Sequence, residues 1–328
     1  LIMLYLAGDI GGTKTHLALF ATQDESFKCV ASQKFPSANY ENLKTIVREF
    51  WDAHPTRIER ACFGIAGPVR NNICKATNLP WVVDAKDLEL ELGIERVFLI
   101  NDLEANAYGV KTLDPSDFYS INRGDDQARG NQALISAGTG LGEAGLYYDG
   151  KTTRPFACEG GHSDFAPRDE IEIQLLQYLM KEHNHVSYER ILCGSGFYEL
   201  YQFYTAILRY PLSPSVENRG ADEDPSIIVS KEAMRETCST CVEVVKRFVS
   251  IYGSESGNLV LKYLATGGLY IGGGIAPKIL QEMKKRTFFD SFIAKGRFEE
   301  LLRSVPIKVI LEEDTALKGS AYFCHNSC

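Results

Sequence analysis

The stretch GDIGGTKTHLALF, residues 8–20, joins two apolar runs through a glycine-rich turn. A P-loop needs two glycines separated by four residues, then lysine and a hydroxyl residue, and a helix that begins at the phosphates. Here Thr13 occupies the place of the second glycine, and the residues after Thr15 are apolar, as residues 1–7 are. The pattern predicts strand, turn and strand, with the carboxylate of Asp9 at the mouth of the turn.

A second stretch of the same layout, ALISAGTGLGEAGLYY, spans residues 133–148. It again has an apolar run, a turn of glycine and threonine, and an apolar run. This weak internal repeat predicts two related lobes, each of which begins with a β-hairpin, that face one another across a cleft.

Strand and helix patterns alternate along the rest of the chain, which predicts an α/β fold. The predicted strands are 62–66, 97–100 and 307–311, and the predicted helices are 40–53, 85–92, one from about 104, 169–183, 230–252 and 313–323. The proline-containing and acidic segment 211–225 predicts an exposed loop.

Composition narrows the class of ligand. The chain has 328 residues, 45% of them hydrophobic, and a net charge of -8, so it can bury a large core and does not favour a nucleic-acid partner. Residues 1–7 lack a basic flank and are too short for a signal peptide or a membrane span. We expect small-molecule chemistry, with no nucleic acid and no membrane as partner.

The cysteines are nine, an odd number without regular spacing, which favours reduced thiols in a cytoplasm. One local pair, Cys238 and Cys241, falls inside the predicted helix 230–252. A redox motif begins where a strand meets a helix, so we interpret the pair as ordinary helix residues, without metal or redox use.

The two glycine turns predict phosphate binding. Glycines let backbone N–H groups approach phosphate oxygens, and Thr13, Thr15 and Thr139 add hydroxyl donors. Ordinary hairpin turns are the alternative for each turn alone, but the third glycine cluster, residues 272–274, favours a nucleotide. Asp9 beside phosphates predicts Mg²⁺, bound through water, whereas a carboxylate that caps its own turn is the alternative.

Asn101 and Asp102 follow directly on the apolar run RVFLI and precede a predicted helix. Ligands of open α/β sheets bind at the carboxyl ends of strands, so Asp102 is placed to accept a hydroxyl proton during phosphoryl transfer. An N-cap of the following helix is the alternative.

Glu159, His162 and Glu189, in CEGGHSDFAP and HVSYERILCG, offer acceptors and a mixed donor for a polyhydroxylated ligand. A zinc site is the rival interpretation. It lacks neighbouring cysteines or a further histidine at ligand spacing.

Taken together, these segments resemble the bacterial-type glucokinases of the hexokinase, actin and heat-shock ATPase superfamily. The matching stretches run in family order over nearly the whole chain: GDIGGTKT, GIAGPV, ATNLPW, LINDLEANAYG, SAGTGLG, EGGHSDFAP, ERILCGSG and YIGGGIAPKIL. The related repressor and sugar-kinase (ROK) family shares the opening motif, but many of its members carry a cysteine-rich zinc site after the histidine, where this chain has SDFAPRDE.

The resemblance implies ATP-dependent phosphorylation of D-glucose at its 6-hydroxyl, the first step of glycolysis, with ATP and Mg²⁺. It implies Asp102 as catalytic base and a set of sugar-binding residues, namely Asn78, Asn101, Asp102, Glu159, His162 and Glu189. The implied phosphate contacts are Gly11, Gly12, Thr13, Lys14, Thr15, Gly138 and Thr139, with Asp9 as the Mg²⁺ residue. The implied adenosine contacts are Gly194, Gly272, Gly273 and Gly274.

The resemblance also implies a two-lobed, actin-like ATPase (ribonuclease H-like) α/β fold with a central cleft. The small lobe is expected at 1–112, completed by a C-terminal helix at 313–328, and the large lobe at 113–312. A homodimer in the cytoplasm is the expected assembly. A kinase for another hexose or an N-acetylated amino sugar, and a sugar-sensing regulator without transfer activity, are the alternatives.

Overall fold

The computed structural model describes residues 3–23, 26–125 and 127–327. Residues 1–2 of the predicted first strand, and residue 328 of the predicted last helix, lie outside the described residues. The chain divides into two compact units. Unit 1 comprises Leu1–Pro115, Arg154–Ala157 and Asp314–Cys328, and unit 2 comprises Ser116–Thr153 and Cys158–Glu313.

The strands of the described chain begin with the predicted hairpin. They are β1 Met3–Ile10, β2 Lys14–Gln23, β3 Ser26–Pro36, β4 Arg60–Ile65, β5 Val69–Arg70, β6 Ile73–Lys75, β7 Val82–Asp84, β8 Arg96–Asn101, β9 Phe118–Asn122, β10 Gln132–Ala137, β11 Leu141–Tyr148, β12 Thr153–Cys158, β13 Gly268–Gly272 and β14 Ile307–Ile310.

The predicted helices other than 230–252 are present in the predicted order, further helices lie between them, and α6 lies within the segment 211–225 that was predicted as a loop. The helices are α1 Leu43–Ala53, α2 Ala85–Leu92, α3 Asp102–Gly109, α4 Glu170–Leu179, α5 Gly196–Ala206, α6 Pro214–Glu217, α7 Pro225–Met234, α8 Ser239–Tyr263, α9 Leu280–Met283, α10 Arg286–Ile293, α11 Glu299–Arg303 and α12 Thr315–Asn326. Within the described ranges, no helix is both long enough and apolar enough to cross a membrane.

The main sheet of unit 1 has the order β3-β2-β1-β4-β8. Strands β1, β4 and β8 are parallel, and Ile10, Ile65 and Asn101 lie in one row across them. The carboxyl ends of these three strands therefore meet at one edge of the sheet. The residues that follow β1 and β8 in sequence lie at this edge.

The six-stranded sheet, most of which belongs to unit 2, has the order β12-β11-β10-β13-β14-β9. Strands β10, β13 and β14 are parallel, and β11 returns antiparallel beside β10. The first five strands repeat the arrangement of unit 1, in which an antiparallel hairpin precedes two parallel strands. The predicted α/β class and the predicted repeat of a leading hairpin are confirmed.

One predicted helix is wrong. Residues 230–252 do not form a single helix, because α7 ends at Met234 and α8 begins at Ser239. Between them Glu236 has a left-handed backbone conformation with φ of 55°. The N-cap of α8 is Cys238, whose Sγ accepts a hydrogen bond from the backbone N–H of Cys241. The two cysteines therefore stand at the start of a helix and not in its interior.

Helices α3 and α12 approach each other at two glycines. A Cβ on Gly319 would overlap the carbonyl oxygen of Ala105, and a Cβ on Gly109 would overlap the carbonyl oxygen of Thr315. Only hydrogen atoms fit between the two backbones at these points. Asp102 is the first residue of α3, and a Cβ on Gly64 of β4 would lie 3.7 Å from its Cα, so the start of α3 lies close to the sheet.

We expect Gly319→Ala to lower the free energy of unfolding by about 3 kcal/mol, since the overlapping atoms belong to backbone and cannot turn aside. The direction of the change in stability distinguishes a close contact from an exposed position, because alanine in place of glycine in an exposed helix stabilises the helix by roughly 1 kcal/mol. Urea unfolding of the variant, with Lys318→Ala on the same helix as control, measures the effect. An unchanged or raised stability of Gly319→Ala would contradict the close approach.

A buried carboxylate joins α4 to α8 in unit 2. Glu172 is 0% exposed, and its carboxylate accepts hydrogen bonds from the backbone N–H and the guanidinium of Arg168 and from Arg247 Nη1 at 3.0 Å. Arg247 also donates to Asp169, the N-cap of α4, at 2.6 Å. Two guanidinium groups thus compensate a carboxylate that is removed from water.

Candidate functional site

Asp102 is the first residue of α3 and is not its N-cap. The cap is Asn101, whose Oδ1 accepts hydrogen bonds from the backbone N–H groups of Leu103 at 2.9 Å and Glu104 at 3.4 Å. Its Nδ2 donates to the carbonyl oxygen of Gly67 at 3.2 Å. The alternative interpretation of Asp102 as the cap is therefore wrong. Both ends of the Asn101 amide are engaged in the fold, so its role as a sugar ligand stays a prediction.

Three carboxylates of unit 1 share one electrostatic environment. Burial, followed by the negative charges of Asp102 and Asp314, raises the pKa of Asp9 to about 6, although Lys14 acts in the opposite direction. Asp9 stands in β1 opposite Gly64 of β4, and Asp102 follows β8 at the same edge. The two acids selected from sequence lie near each other.

Asp9 fits the requirements for Mg²⁺. Its carboxylate supplies the oxygen donor that this ion prefers, and its raised pKa means that Lys14 only partly offsets the effects of burial and of the neighbouring carboxylates. A divalent cation at this place would offset the charges of Asp9 and Asp102. The fit rests on the donor atom and the charge, and the ligand geometry is not part of it.

The turn that follows Asp9 is closed by its own backbone. The N–H of Gly11 donates to the carbonyl oxygen of Lys14 at 2.9 Å, and Ser37 Oγ donates to the carbonyl oxygen of Gly11 at 2.8 Å. Gly12 lies against Asn78, since a Cβ on Gly12 would lie 2.6 Å from that of Asn78. Thr13 and Lys14 are exposed, so their side chains are accessible to a ligand.

Thr15 corrects one site prediction. Its side chain is fully buried, and its hydroxyl lies 3.0 Å from Ser37 Oγ. The prediction of Thr15 as a hydroxyl donor to phosphate is wrong, because the group points into the protein and holds the turn to residue 37.

In unit 2, His162 and Glu189 come together. His162 Nε2 lies 3.6 Å from Glu189 Oε1, while Glu189 Oε2 accepts a hydrogen bond from the backbone N–H of Leu141 at 2.8 Å. Glu159 is exposed and its carbonyl oxygen accepts from the backbone N–H of His162 at 3.1 Å. The three residues selected for sugar binding are therefore held around one turn and its neighbour.

The two glycines of the EGGH run let this turn lie directly on β11. A Cβ on Gly161 would overlap the carbonyl oxygen of Leu141, and a Cβ on Gly160 would overlap the carboxylate of Glu143. The acid and the histidine on either side of the glycines are thereby fixed against the second hairpin.

Glu143 is a buried carboxyl group beneath this turn. It is 1% exposed, and neither of its oxygens has a hydrogen bond of normal geometry within the described part of the chain. Burial, followed by the carboxylate of Glu255, raises the pKa of Glu143 to about 8, although Lys262 acts in the opposite direction. At neutral pH the group is mainly a neutral carboxylic acid.

We expect Glu143→Gln to remove a pH dependence of stability. The folded chain holds a proton on Glu143 that the unfolded chain releases, so the stabilisation is complete below the ordinary carboxyl pKa and is lost as the pH rises towards about 8. The slope is at most about 1.4 kcal/mol per pH unit. In urea unfolding at pH 5, 7 and 9, the free energy of unfolding of the variant should rise relative to that of the wild type as the pH increases. Parallel stability curves would contradict the assignment.

The glycines selected for the nucleotide meet in unit 2. The N–H of Gly194 donates to the carbonyl oxygen of Gly138 at 2.8 Å, and a Cβ on Gly273 would overlap the carbonyl oxygen of Ala137. Gly273 also has φ of 82°, a conformation that glycine adopts readily. Thr139, at the tip of the turn, is exposed. Three segments that are distant in sequence thus form one glycine-rich surface.

Several residues of these clusters were missed from sequence. Asp314 lies near Asp9 and 3.2 Å from His16 Nδ1, and Ser37 holds the first turn. The acidic run EED before α12 was a weak signal for Asp314. Ser37 and Glu143 had no signal, because their contacts depend on tertiary packing.

Comparison with known proteins gives consistent results over almost the full chain. The family model described as Glucokinase matches residues 6–327. The glucokinase of Nostoc punctiforme is 40% identical over 333 residues, which covers 97% of this chain and 98% of that protein.

Comparison with solved structures gives a consistent result. The glucokinase from an Antarctic psychrotroph superimposes with a TM-score of 0.85 at 30% identity and covers 99% of both chains. A ROK family glucokinase from Streptomyces griseus, in complex with glucose and AMPPNP, has a TM-score of 0.67 at 18% identity over 99% of this chain and 100% of that one, and supports the fold alone. These similarities confirm the predicted actin-like α/β fold class.

Proposed function

The chain belongs to the glucokinase family, and on that premise we propose that it transfers the terminal phosphoryl group of ATP to the 6-hydroxyl of D-glucose. The observation that carries the proposal is the proximity of Asp102 to Asp9 at the carboxyl ends of parallel strands. Phosphoryl transfer needs an acceptor for the hydroxyl proton and a place for a cation beside the phosphates.

In the proposed reaction, the carboxylate of Asp102 accepts the proton of the sugar 6-hydroxyl. The oxygen then forms a bond to the terminal phosphorus of ATP in line with the bond to ADP that breaks. Asp102 releases its proton to water afterwards. Because Asn101 caps α3, the Asp102 carboxylate is not required for that purpose, which supports its role as the base.

Asp9 would hold Mg²⁺, through water, and the residues that face it are Asp102 and Asp314. When bound, the ion would neutralise phosphate charge and help to orient the phosphates. The raised pKa of Asp9 supports this proposal, since a carboxylate that is costly to ionise alone is stabilised by a nearby cation.

For glucose we propose Asn78, Asn101, Glu159, His162 and Glu189. For the phosphates we propose the turn at residues 11–14, with Gly138 and Thr139, and for the adenosine Gly194 and Gly272–Gly274. The contact between His162 and Glu189 and the contact between Gly138 and Gly194 support these groups. The Streptomyces griseus structure contains glucose and AMPPNP, a sugar together with an adenine nucleotide, and we propose the corresponding pair of substrates for this chain.

We propose further that the two compact units correspond to the lobes expected at 1–112 with 313–328 and at 113–312. From the family resemblance we also propose that the chain forms a homodimer in the cytoplasm. We propose on the same basis that it catalyses the first step of glycolysis. Sedimentation equilibrium of the purified chain measures the assembly directly.

A coupled assay tests the proposed activity. The purified chain is incubated with ATP, Mg²⁺ and, separately, glucose, mannose, fructose and N-acetylglucosamine, and the sugar phosphate is identified by mass. We expect glucose 6-phosphate to form with the highest kcat/KM. A higher kcat/KM for another sugar would indicate a kinase for that sugar. Sugar binding without phosphoryl transfer would indicate a sugar-sensing regulator.

A further inference from the structure

The start of α8 gathers three potential metal ligands from two helices of unit 2. One donor atom each of Glu232, Cys238 and Cys241 lies within 4.8 Å of the other two. Glu232 stands in the last turns of α7, and the cysteines stand at the N-cap and in the first turn of α8. We propose that these residues form a binding site for a thiophilic divalent cation of the Zn²⁺ class. The site shares no residue with the candidate functional site.

The contacts within the cluster bring sulfur and oxygen donors together. Cys241 Sγ lies 3.9 Å from Glu232 Oε2, and Cys238 Sγ accepts a hydrogen bond from the backbone N–H of Cys241 at 3.4 Å. Cys241 is buried, whereas Cys238 is half-buried. Two cysteines separated by two residues, with the second in the first turn of a helix, suit a single tetrahedral cation.

The surrounding residues hold the ligands in place. Ser213 Oγ donates to Glu232 Oε2 at 2.7 Å, and Thr240 Oγ1 donates to the carbonyl oxygen of Pro211 at 2.7 Å. The backbone N–H of Thr237 donates to the carbonyl oxygen of Glu232 at 3.0 Å, which closes the turn between the helices. Partners of this kind orient the ligands of a metal and raise its affinity.

The chemistry of the donors selects the cation. Thiolate sulfur and carboxylate oxygen together suit Zn²⁺, whereas Mg²⁺ and Ca²⁺ take oxygen ligands alone. A cavity of about 390 Å³, lined by Ser213, Glu232 and Cys238 among others, adjoins the cluster and provides room for water as a fourth ligand.

The test uses the full chain, freed of metal and reduced with a phosphine. Titration with Co²⁺, followed by its thiolate charge-transfer absorption, and then displacement by Zn²⁺ against a chromophoric chelator, give the stoichiometry and the affinity. We expect one equivalent per chain. We also expect Zn²⁺ to raise the Tm of the wild type.

Cys238→Ser is the informative variant. Serine is a good N-cap, so it preserves the hydrogen bond to Cys241 N and the fold while removing one sulfur ligand. We expect at least a tenfold loss of Zn²⁺ affinity, a thiolate band with Co²⁺ of about half the wild-type intensity at saturation, since Cys241 remains, and a smaller rise in Tm. Glu232→Gln should weaken binding in the same direction. Cys29→Ser removes an exposed cysteine elsewhere and should bind as the wild type does.

Two results would overturn the proposal. One is a wild type that shows no thiolate band and binds no equivalent of Zn²⁺. The other is a band of wild-type intensity together with an unchanged affinity in Cys238→Ser, which would place the cation at other thiols. Melting curves of the metal-free variants confirm that each is folded before it is titrated, so that a loss of binding reports on the ligand.

Discussion

Asp102→Asn should lower kcat for glucose phosphorylation by roughly a hundredfold to ten-thousandfold, the range that a general base contributes. Asparagine has almost the same shape as aspartate but cannot accept the hydroxyl proton. The fold should persist, because the cap of α3 is supplied by Asn101. Steady-state kinetics with glucose and ATP, together with urea unfolding, separate the loss of chemistry from a loss of structure.

A matched control is Asp84→Asn. Asp84 likewise follows a strand and precedes a helix, and its carboxylate caps α2 by accepting from the backbone N–H of Lys86 at 2.9 Å. Asparagine also caps helices, so this variant should retain its kcat. If Asp102→Asn kept a kcat within tenfold of the wild type, another group would have to accept the proton.

Glu172→Ala should lower the free energy of unfolding by about 3–5 kcal/mol, as expected when one partner of a buried ion pair is removed. The carboxylate is 0% exposed and accepts from Arg168 and Arg247. Without it, Arg168 loses the carboxylate that it contacts, and Arg247 keeps only Asp169 of its two carboxylate partners. Urea or thermal unfolding of the purified variant measures the loss.

Glu170→Ala is the control for this experiment. Glu170 belongs to the same first turn of α4 but is exposed, so its removal should change stability by less than about 1 kcal/mol. A loss for Glu172→Ala no larger than that of the control would show that the two arginines find other partners.

The order of strands and helices could be predicted from the sequence because both hairpins have a glycine turn between apolar runs. Likewise, helix α1 shows a clear apolar face, with Leu43, Ile46, Val47 and Phe50 buried and Asn42 as its cap. These signals are local. They depend on the period of apolar residues and on capping chemistry, which a sequence shows directly.

The break between α7 and α8 could not be predicted from the same signals. The connecting residues contain no glycine or proline. The turn depends on a left-handed backbone conformation at Glu236, which glutamate rarely adopts and which the sequence therefore does not predict. The cap is a cysteine, which is not among the usual capping residues. The pair Cys238 and Cys241 was therefore misread as the interior of a helix.

At the candidate site, the types of residue could be predicted from the sequence, but the hydrogen bonds and packing contacts that they make could not. Asparagine and aspartate both cap helices, so the sequence leaves open whether Asn101 or Asp102 does so. Likewise, the burial of Thr15 follows from Ser37, twenty-two residues away along the chain. The contact of Glu143 with Gly160 joins a strand to a turn and has no counterpart in any sequence pattern.

Unit 1 is built from segments at both ends of the chain together with Arg154–Ala157, and this has a consequence for biosynthesis. Helix α12 packs against α3, β1 and β4, with Ala316 and Cys324 in contact with Tyr5, Cys62 and Ala105. A ribosome makes these partners long before it makes α12. The nascent chain therefore carries a first sheet and a helix α3 that lack their covering helix, with apolar side chains exposed to water, throughout translation of the intervening segment.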